Sequence, residues 1–371
     1  MNTDRVIERR ALKSILWVYI VLCFVIAGLN YGYAPHATPK VAAFITWFWH
    51  FYENWIKTFF ILTAGILTLR IIGKTKRSTL RRRNLIGFFL TAMVVHILLP
   101  LITGIQELYF FTMPLPWTTT PFQLMSESSG FYLSRFPLWG LAGISAALLF
   151  YIIVSIIVFV GTLLFGRRLQ CSTLCLFNGF AAEVFDPAMP LIGKARKCSP
   201  QMLTVLAVVR RVFFGVAILF SLWWNAYLTG VPTPGNPQRI GNVETYLYLI
   251  GELMMAMLFW MVFIGRGYCY YCPLGTLLAL IGKVAGQQIV TDNTKCVECG
   301  SCNAACPMTI DLKTAAIKRE SSRNSRCVGC GHCVDACPTK TLTYTTTFLT
   351  WAQTRKNKSK AVRKQTEQGT K

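Results

Sequence analysis

Residues 265–275, GRGYCYYCPLG, close a long apolar run and open a polar region dense in cysteine. An apolar helix that ends on two cysteines, Cys269 and Cys272, followed by Pro273, points to chemistry at the place where it ends. The chain upstream and the chain downstream of this seam have different characters.

Upstream the sequence is too apolar for an ordinary soluble protein. Of 371 residues, 53% are hydrophobic and only 14% are charged, and the mean hydropathy is +0.45. These values place the chain in the membrane class. Crossing ~30 Å of hydrocarbon takes about 20 residues, and apolar runs of that order fall at 13–31, 43–72, 85–103, 138–165, 203–229 and 244–264. They predict six transmembrane helices. The first run follows Arg5, Arg9 and Arg10, but no A-x-A cleavage site comes after it, so it reads as an uncleaved anchor.

A net charge of +23 in a soluble domain would suggest nucleic acid, yet no basic-aromatic nucleic-acid motif accompanies it. In a chain of spans it points instead to orientation and to an anionic leaflet. Between runs two and three lie Arg70, Lys74, Lys76, Arg77, Arg81, Arg82 and Arg83 with no acid, whereas the alternate loops hold Lys40, Arg135 and Arg239. Arg167, Arg168, Lys194, Arg196, Lys197 and Arg266 follow runs four and six. The positive-inside rule then puts both termini, and every cysteine except Cys23, on the cytoplasmic side. That compartment is reducing, which favours metal over disulfides.

The 14 cysteines are uneven: ten lie between Cys269 and Cys337. CVECGSCNAACP places Cys296, Cys299, Cys302 and Cys306 in the pattern C-x2-C-x2-C-x3-C-P, and CVGCGHCVDACP repeats it at Cys327, Cys330, Cys333 and Cys337. This spacing wraps [4Fe–4S] clusters, with the fourth cysteine of each run reaching the other cluster. One cluster is expected on Cys296, Cys299, Cys302 and Cys337, the other on Cys327, Cys330, Cys333 and Cys306. Zinc sites instead pair two C-x2-C arms across a longer gap.

LLFGRRLQCSTLCLFNG after run four and VFIGRGYCYYCPLGTL after run six share an apolar stretch, Gly-Arg and two cysteines. This weak internal repeat supplies two halves of a tetrathiolate, Cys171 with Cys175 and Cys269 with Cys272, a candidate third iron–sulfur or metal centre. The alternative is that these cysteines pack at helix ends. Cys198 is a substitute ligand, and Cys23 is read as a packing residue.

Polar residues at depth are functional suspects in a membrane. His50 and His96 lie about seven residues, about 10 Å, from the outer ends of runs two and three. They fit a quinone pocket with Glu53 and Lys57, the axial ligands of a b-type haem, or ordinary interhelical hydrogen bonds. Arg210 and Arg211, two turns inside run five, either snorkel or neutralise the thiolate clusters or a quinol headgroup. Glu252 in run six is a proton carrier or an interhelical partner.

The fold expected is an all-α polytopic membrane domain of about six transmembrane helices followed by a small α+β bacterial-type ferredoxin domain with two [4Fe–4S] clusters. Its parts are a membrane domain at 1–264 carrying the cysteine motif of 166–200, an exit motif and linker helix at 265–290, the ferredoxin domain at 291–348, and a basic disordered tail at 349–371. The outer loop at 104–137 is expected to be irregular or to carry an interfacial helix.

With these motifs quoted, residues 60–345 resemble the NapH and NosR group of ferredoxin-type quinol dehydrogenase subunits. The group's membrane motif is Cys-x3-Cys-Pro; here Leu176 stands after Cys175, and Cys272 keeps Pro273 but is one residue closer to its partner. The resemblance implies an electron-transport, oxidoreductase-type subunit of anaerobic respiration in the bacterial cytoplasmic (inner) membrane. It implies partners in the quinone pool, in iron–sulfur or cytochrome subunits and in a terminal reductase, and none in nucleic acid. A maturation factor that supplies electrons for assembling or reactivating a metalloenzyme is the second reading. No nucleophile motif such as G-x-S-x-G suggests hydrolysis, so no residue is assigned as catalytic.

Overall fold

The structure, a computed structural model, describes residues 3–73, 78–109, 120–192, 197–263, 265–291 and 296–369. Among them, Val6–His36, Pro39–Gly73, Thr79–Thr103, Gly130–Phe165 and Pro200–Leu228 are long and apolar enough to cross a membrane. They coincide with the first five predicted runs. The sixth is also helical, Pro237–Tyr246 continuing through the π-turn Leu247–Met254 into Met255–Val262. Arg239, Asn242 and Glu244 make its first turns polar. The chain is a multi-pass membrane protein.

Only 11% of the apolar window of the fifth span and 17% of that of the fourth are buried inside the protein. Leu138, Leu141, Leu219 and Leu222 are among the exposed side chains, an apolar surface that water would not tolerate and lipid covers. The inner faces pack around Leu12, Leu16, Ile61, Ala64, Leu85 and Phe88. Span ends follow local chemistry. The Ser199 side chain accepts from the Met202 amide with Pro200 in the first turn, and Ser129 accepts from Tyr132. Within Gly130–Phe165 the helix breaks at Gly140, φ 61°, just after Pro137, which has no amide proton for the preceding turn.

The outer loop carries a short helix, Thr120–Met125, tied down where Gln123 donates to Glu244; residues 110–119 lie outside the described residues. So do Lys74, Lys76 and Arg77 of the basic loop, and Lys194 and Arg196.

Past the seam, β1 (Gln288–Thr291) and β2 (Leu342–Thr345) pair antiparallel, with Gln288 opposite Thr345 and Thr291 opposite Leu342. The two strands bracket the cysteine runs, whose middles form the short helices Ser301–Ala305 and His332–Ala336. This small α+β unit sits against the ends of several spans. Tyr344 Oη donates to Phe165 O at 2.8 Å and Asn84 Nδ2 to Cys330 O at 2.9 Å. Ser172 Oγ donates to Val328 O at 2.9 Å, and Asp335 accepts from the amides of Leu80 and Arg81 at 3.0 Å. Gly331, φ 78°, admits no side chain, because a Cβ there would stand 2.6 Å from Leu80. Beyond β2 the basic stretch expected to lack structure runs as the helix Thr347–Gly369. It has no proline and no glycine before its end, and lysine, arginine, glutamine and alanine all favour helix.

Candidate iron–sulfur sites and a membrane cavity

The cysteines gather into three groups. Cys296, Cys299, Cys302 and Cys337 line one cavity with Gly300 and Thr341, so the fourth cysteine of the second run meets the first three of the first. Cys299 is exposed and Cys296 and Cys302 are half-buried. Burial raises the Cys337 thiol, but contacts from the hydroxyls of Thr341 and Thr339 outweigh it and hold Cys337 at about 7.

Cys306, Cys330 and Cys333 are buried and Cys327 is half-buried. Cys330, Cys327 and Cys306 all act electrostatically on Cys333, whose thiol burial pushes well up. Beside this group, donor atoms of Glu183, Cys330 and His332 lie within 4.8 Å of one another.

Cys171, Cys175, Cys269 and Cys272 line a third cavity together with Arg167, Asn178 and Tyr268. Cys171 lies in the π-turn Gln170–Leu174, a backbone form recurrent at functional sites. Cys272 stands ahead of the helix Pro273–Val284 and accepts from the Gly275 amide. Burial pushes Cys175 up to about 11 and raises Cys171 too. Four sulfur donors with no carboxylate among the lining residues suit a soft metal centre. Ligation requires the thiolate, so loading such a buried set releases protons. Cys198 lies apart, its amide bonded to Thr309, and Cys23 is buried in the first span.

Next to the third group lies a cavity among the spans, walled by Tyr19, Trp49, Tyr109, Phe180 and Trp260 and lined by Glu53 and Lys57. Glu53 and Lys57 form a buried ion pair at 2.8 Å, with the Lys57 ammonium 5.8 Å from the Tyr109 ring centre and 5.9 Å from that of Phe180. Trp260 Nε1 donates to Asn178 Oδ1 at 2.9 Å, and Asn178 Nδ2 donates to Cys269 Sγ at 3.2 Å. One asparagine therefore joins the cavity wall to the thiols.

The two histidines have different partners. His50 Nε2 meets Glu107 Oε1 at 3.1 Å, and Arg135 clamps the same carboxylate at 2.5 and 2.7 Å. His96 Nδ1 meets Thr58 at 3.1 Å, while its Nε2 is buried without a hydrogen-bond partner among the described residues. Glu53, His96 and Glu252 all lie in π-turns, and Glu252 accepts from Tyr268 Oη. Arg210 Nε donates to Thr276 Oγ1 at 2.9 Å, and that hydroxyl donates to Cys272 O at 2.9 Å; Arg211 is exposed.

Sequence reasoning missed Glu183, His332 and Asn178. Glu183 had a signal, a lone acid in the apolar stretch NGFAAEVF. Asn178 had one too, since it is the asparagine of the Asn-Gly that closes the first repeat.

A family model described as a 4Fe-4S dicluster domain matches residues 288–338. The uncharacterized protein MJ0749 of Methanocaldococcus jannaschii is 28% identical over 184 residues, which cover 50% of this chain and 69% of the relative. No solved structure matches. The chain is thus a membrane protein with an iron–sulfur domain of the dicluster type.

Proposed function

We propose that this protein is a membrane electron-transfer subunit linking the quinone pool to a respiratory or extracytoplasmic reductase through [4Fe–4S] clusters on the cytoplasmic side. The observation that carries the proposal is the aromatic, ion-paired membrane cavity, one asparagine away from a group of four thiols.

Cys296, Cys299, Cys302 and Cys337 hold the first cluster, Cys306, Cys327, Cys330 and Cys333 the second, and Cys171, Cys175, Cys269 and Cys272 a third. When bound, such groups supply reversible one-electron transfer. The rest of the work belongs to the chain. The first thiol group keeps an exposed edge, Cys299, where a soluble partner can approach, and the other two are buried apart from half-buried Cys327 and Cys269. The membrane cavity is small, and a flat carrier enters it only as the side chains that wall it, Trp49 and Tyr109 among them, move apart to offer it apolar faces. Lys57 Nζ is placed to donate to a carbonyl oxygen of the carrier, and Glu53 to accept the proton that leaves a quinol hydroxyl. Buried charges of this kind in a membrane are held for function. His50 Nε2, already committed to the Glu107 carboxylate that Arg135 clamps, supports a quinone here over a b-type haem with two histidine ligands.

The test mixes dithionite-reduced protein with a short-chain quinone and follows the visible absorbance of the clusters. Rapid reoxidation is expected in the wild type, with at least tenfold slowing in Lys57→Met and Glu53→Gln at unchanged iron content. Equal rates in all three proteins would overturn the proposal.

A further inference from the structure

Charged side chains that are fully buried need a partner of opposite sign. Arg167 and Arg266, the arginines of the two Gly-Arg repeats, are 2% and 1% exposed. Arg266 has such a partner, Glu183 at 2.5 Å. Arg167 forms no ion pair with an acid among the described residues. Its Nη1 donates to the backbone oxygen of Ser325 at 2.8 Å, and its Nε is buried without a hydrogen-bond partner.

Both guanidinium groups face the same four thiols. Arg167 lines the cavity of Cys171, Cys175, Cys269 and Cys272, and its Nη2 would stand 2.8 Å from a Cβ at Gly275, so only glycine leaves it room there. Arg266 Nη1 donates to Cys171 O at 2.9 Å and stands 3.9 Å from Cys269 Sγ. The repeat thus delivers two cysteines and one arginine from each half of the membrane domain to one place. Four thiolates around metal carry net negative charge, the counter-charge that Arg167 lacks.

Arg167 also lies within electrostatic reach of Cys327, as it does of Cys171. We propose that Arg167, which lines the cavity of Cys171, Cys175, Cys269 and Cys272, is the main buried counter-charge of the metal centre held by those four cysteines, with Arg266 as its symmetry-related companion shared with Glu183. Arg167 thereby raises the reduction potential of that centre above what its thiolates alone would set. The same two side chains tie the centre to the ferredoxin unit, Arg167 through Ser325 and Arg266 through Glu183, whose other oxygen lies 2.9 Å from His332 Nε2. The inference rests on the third centre of the proposed function. It makes Arg167 a positioning and tuning residue.

The test is an EPR-monitored redox titration of the whole protein in detergent, with iron counted on the same samples, for wild type, Arg167→Gln and Arg167→Lys. The glutamine variant is expected to keep about twelve irons, three clusters of four, while one of the three potentials moves to more negative values, and lysine restores most of the shift. Unshifted potentials at full iron content would overturn the inference. Loss of four irons from glutamine and lysine variants alike would also overturn it, because shape and not charge would then be the requirement; loss from the glutamine variant alone would support it. About eight irons in the wild type would remove the third centre itself, an outcome distinct from either.

Discussion

Glu183 carries two partners on one carboxylate, Arg266 at 2.5 Å and His332 at 2.9 Å. Burial by itself pushes this acid up, but His332 and Arg266 outweigh it, and its pKa falls to about 2. The sign follows from the depressed value: the stabilisation is fully present above the ordinary carboxylate range and is lost as pH drops toward 2. Glu183 is 0% and Arg266 1% exposed, so solvent screens the pair little. Removing one member of such a pair leaves a bare buried charge at a cost of about 3–5 kcal/mol, whereas replacing both with apolar groups is often neutral. Glu183→Gln should therefore lower the denaturant midpoint strongly, and the double variant Glu183→Leu with Arg266→Met much less. Equal losses in the two proteins would show that the pair does not act as a unit.

At the scale of elements, five spans were legible because each is a continuous apolar run, a signal that needs no tertiary context. The sixth run is helical too, from Pro237 to Val262; what its sequence hid is that Glu244 near its start accepts from both Gln123 and Trp224. The cysteine runs were legible as motifs because their spacing is itself the geometry of the ligand set. The docking of that unit was not legible. Asn84, Ser172 and Asp335 carry no local pattern, and their partners are 246, 156 and 255 residues away in sequence. Asp335 acts as an N-cap supplied from another element, accepting from the first amides of the helix that begins at Thr79. Loss of a cap costs about 1 kcal/mol. Asp335→Ala should accordingly loosen the ferredoxin unit from the third span, read as faster hydrogen exchange at Leu80 and Arg81 with the pairing of β1 and β2 unchanged. Unaltered exchange at those two amides would remove Asp335 from the docking contact.

On the scale of the whole molecule, the thiol groups differ in exposure: the first holds the exposed Cys299, while the second and third are each buried except for half-buried Cys327 and Cys269, and Asn178 joins the third to the aromatic cavity with Glu53 and Lys57. The ferredoxin unit rests on span ends that carry Arg81 and Arg167, through Asp335 and Ser325. In the function proposed here, the group at Cys171, Cys175, Cys269 and Cys272 stands between the ferredoxin unit and the membrane cavity, to which Asn178 links it. Iron and acid-labile sulfide counted on protein purified without oxygen test this most directly. About twelve of each per chain is the expected result, three clusters of four; about eight of each, two clusters only, would contradict it.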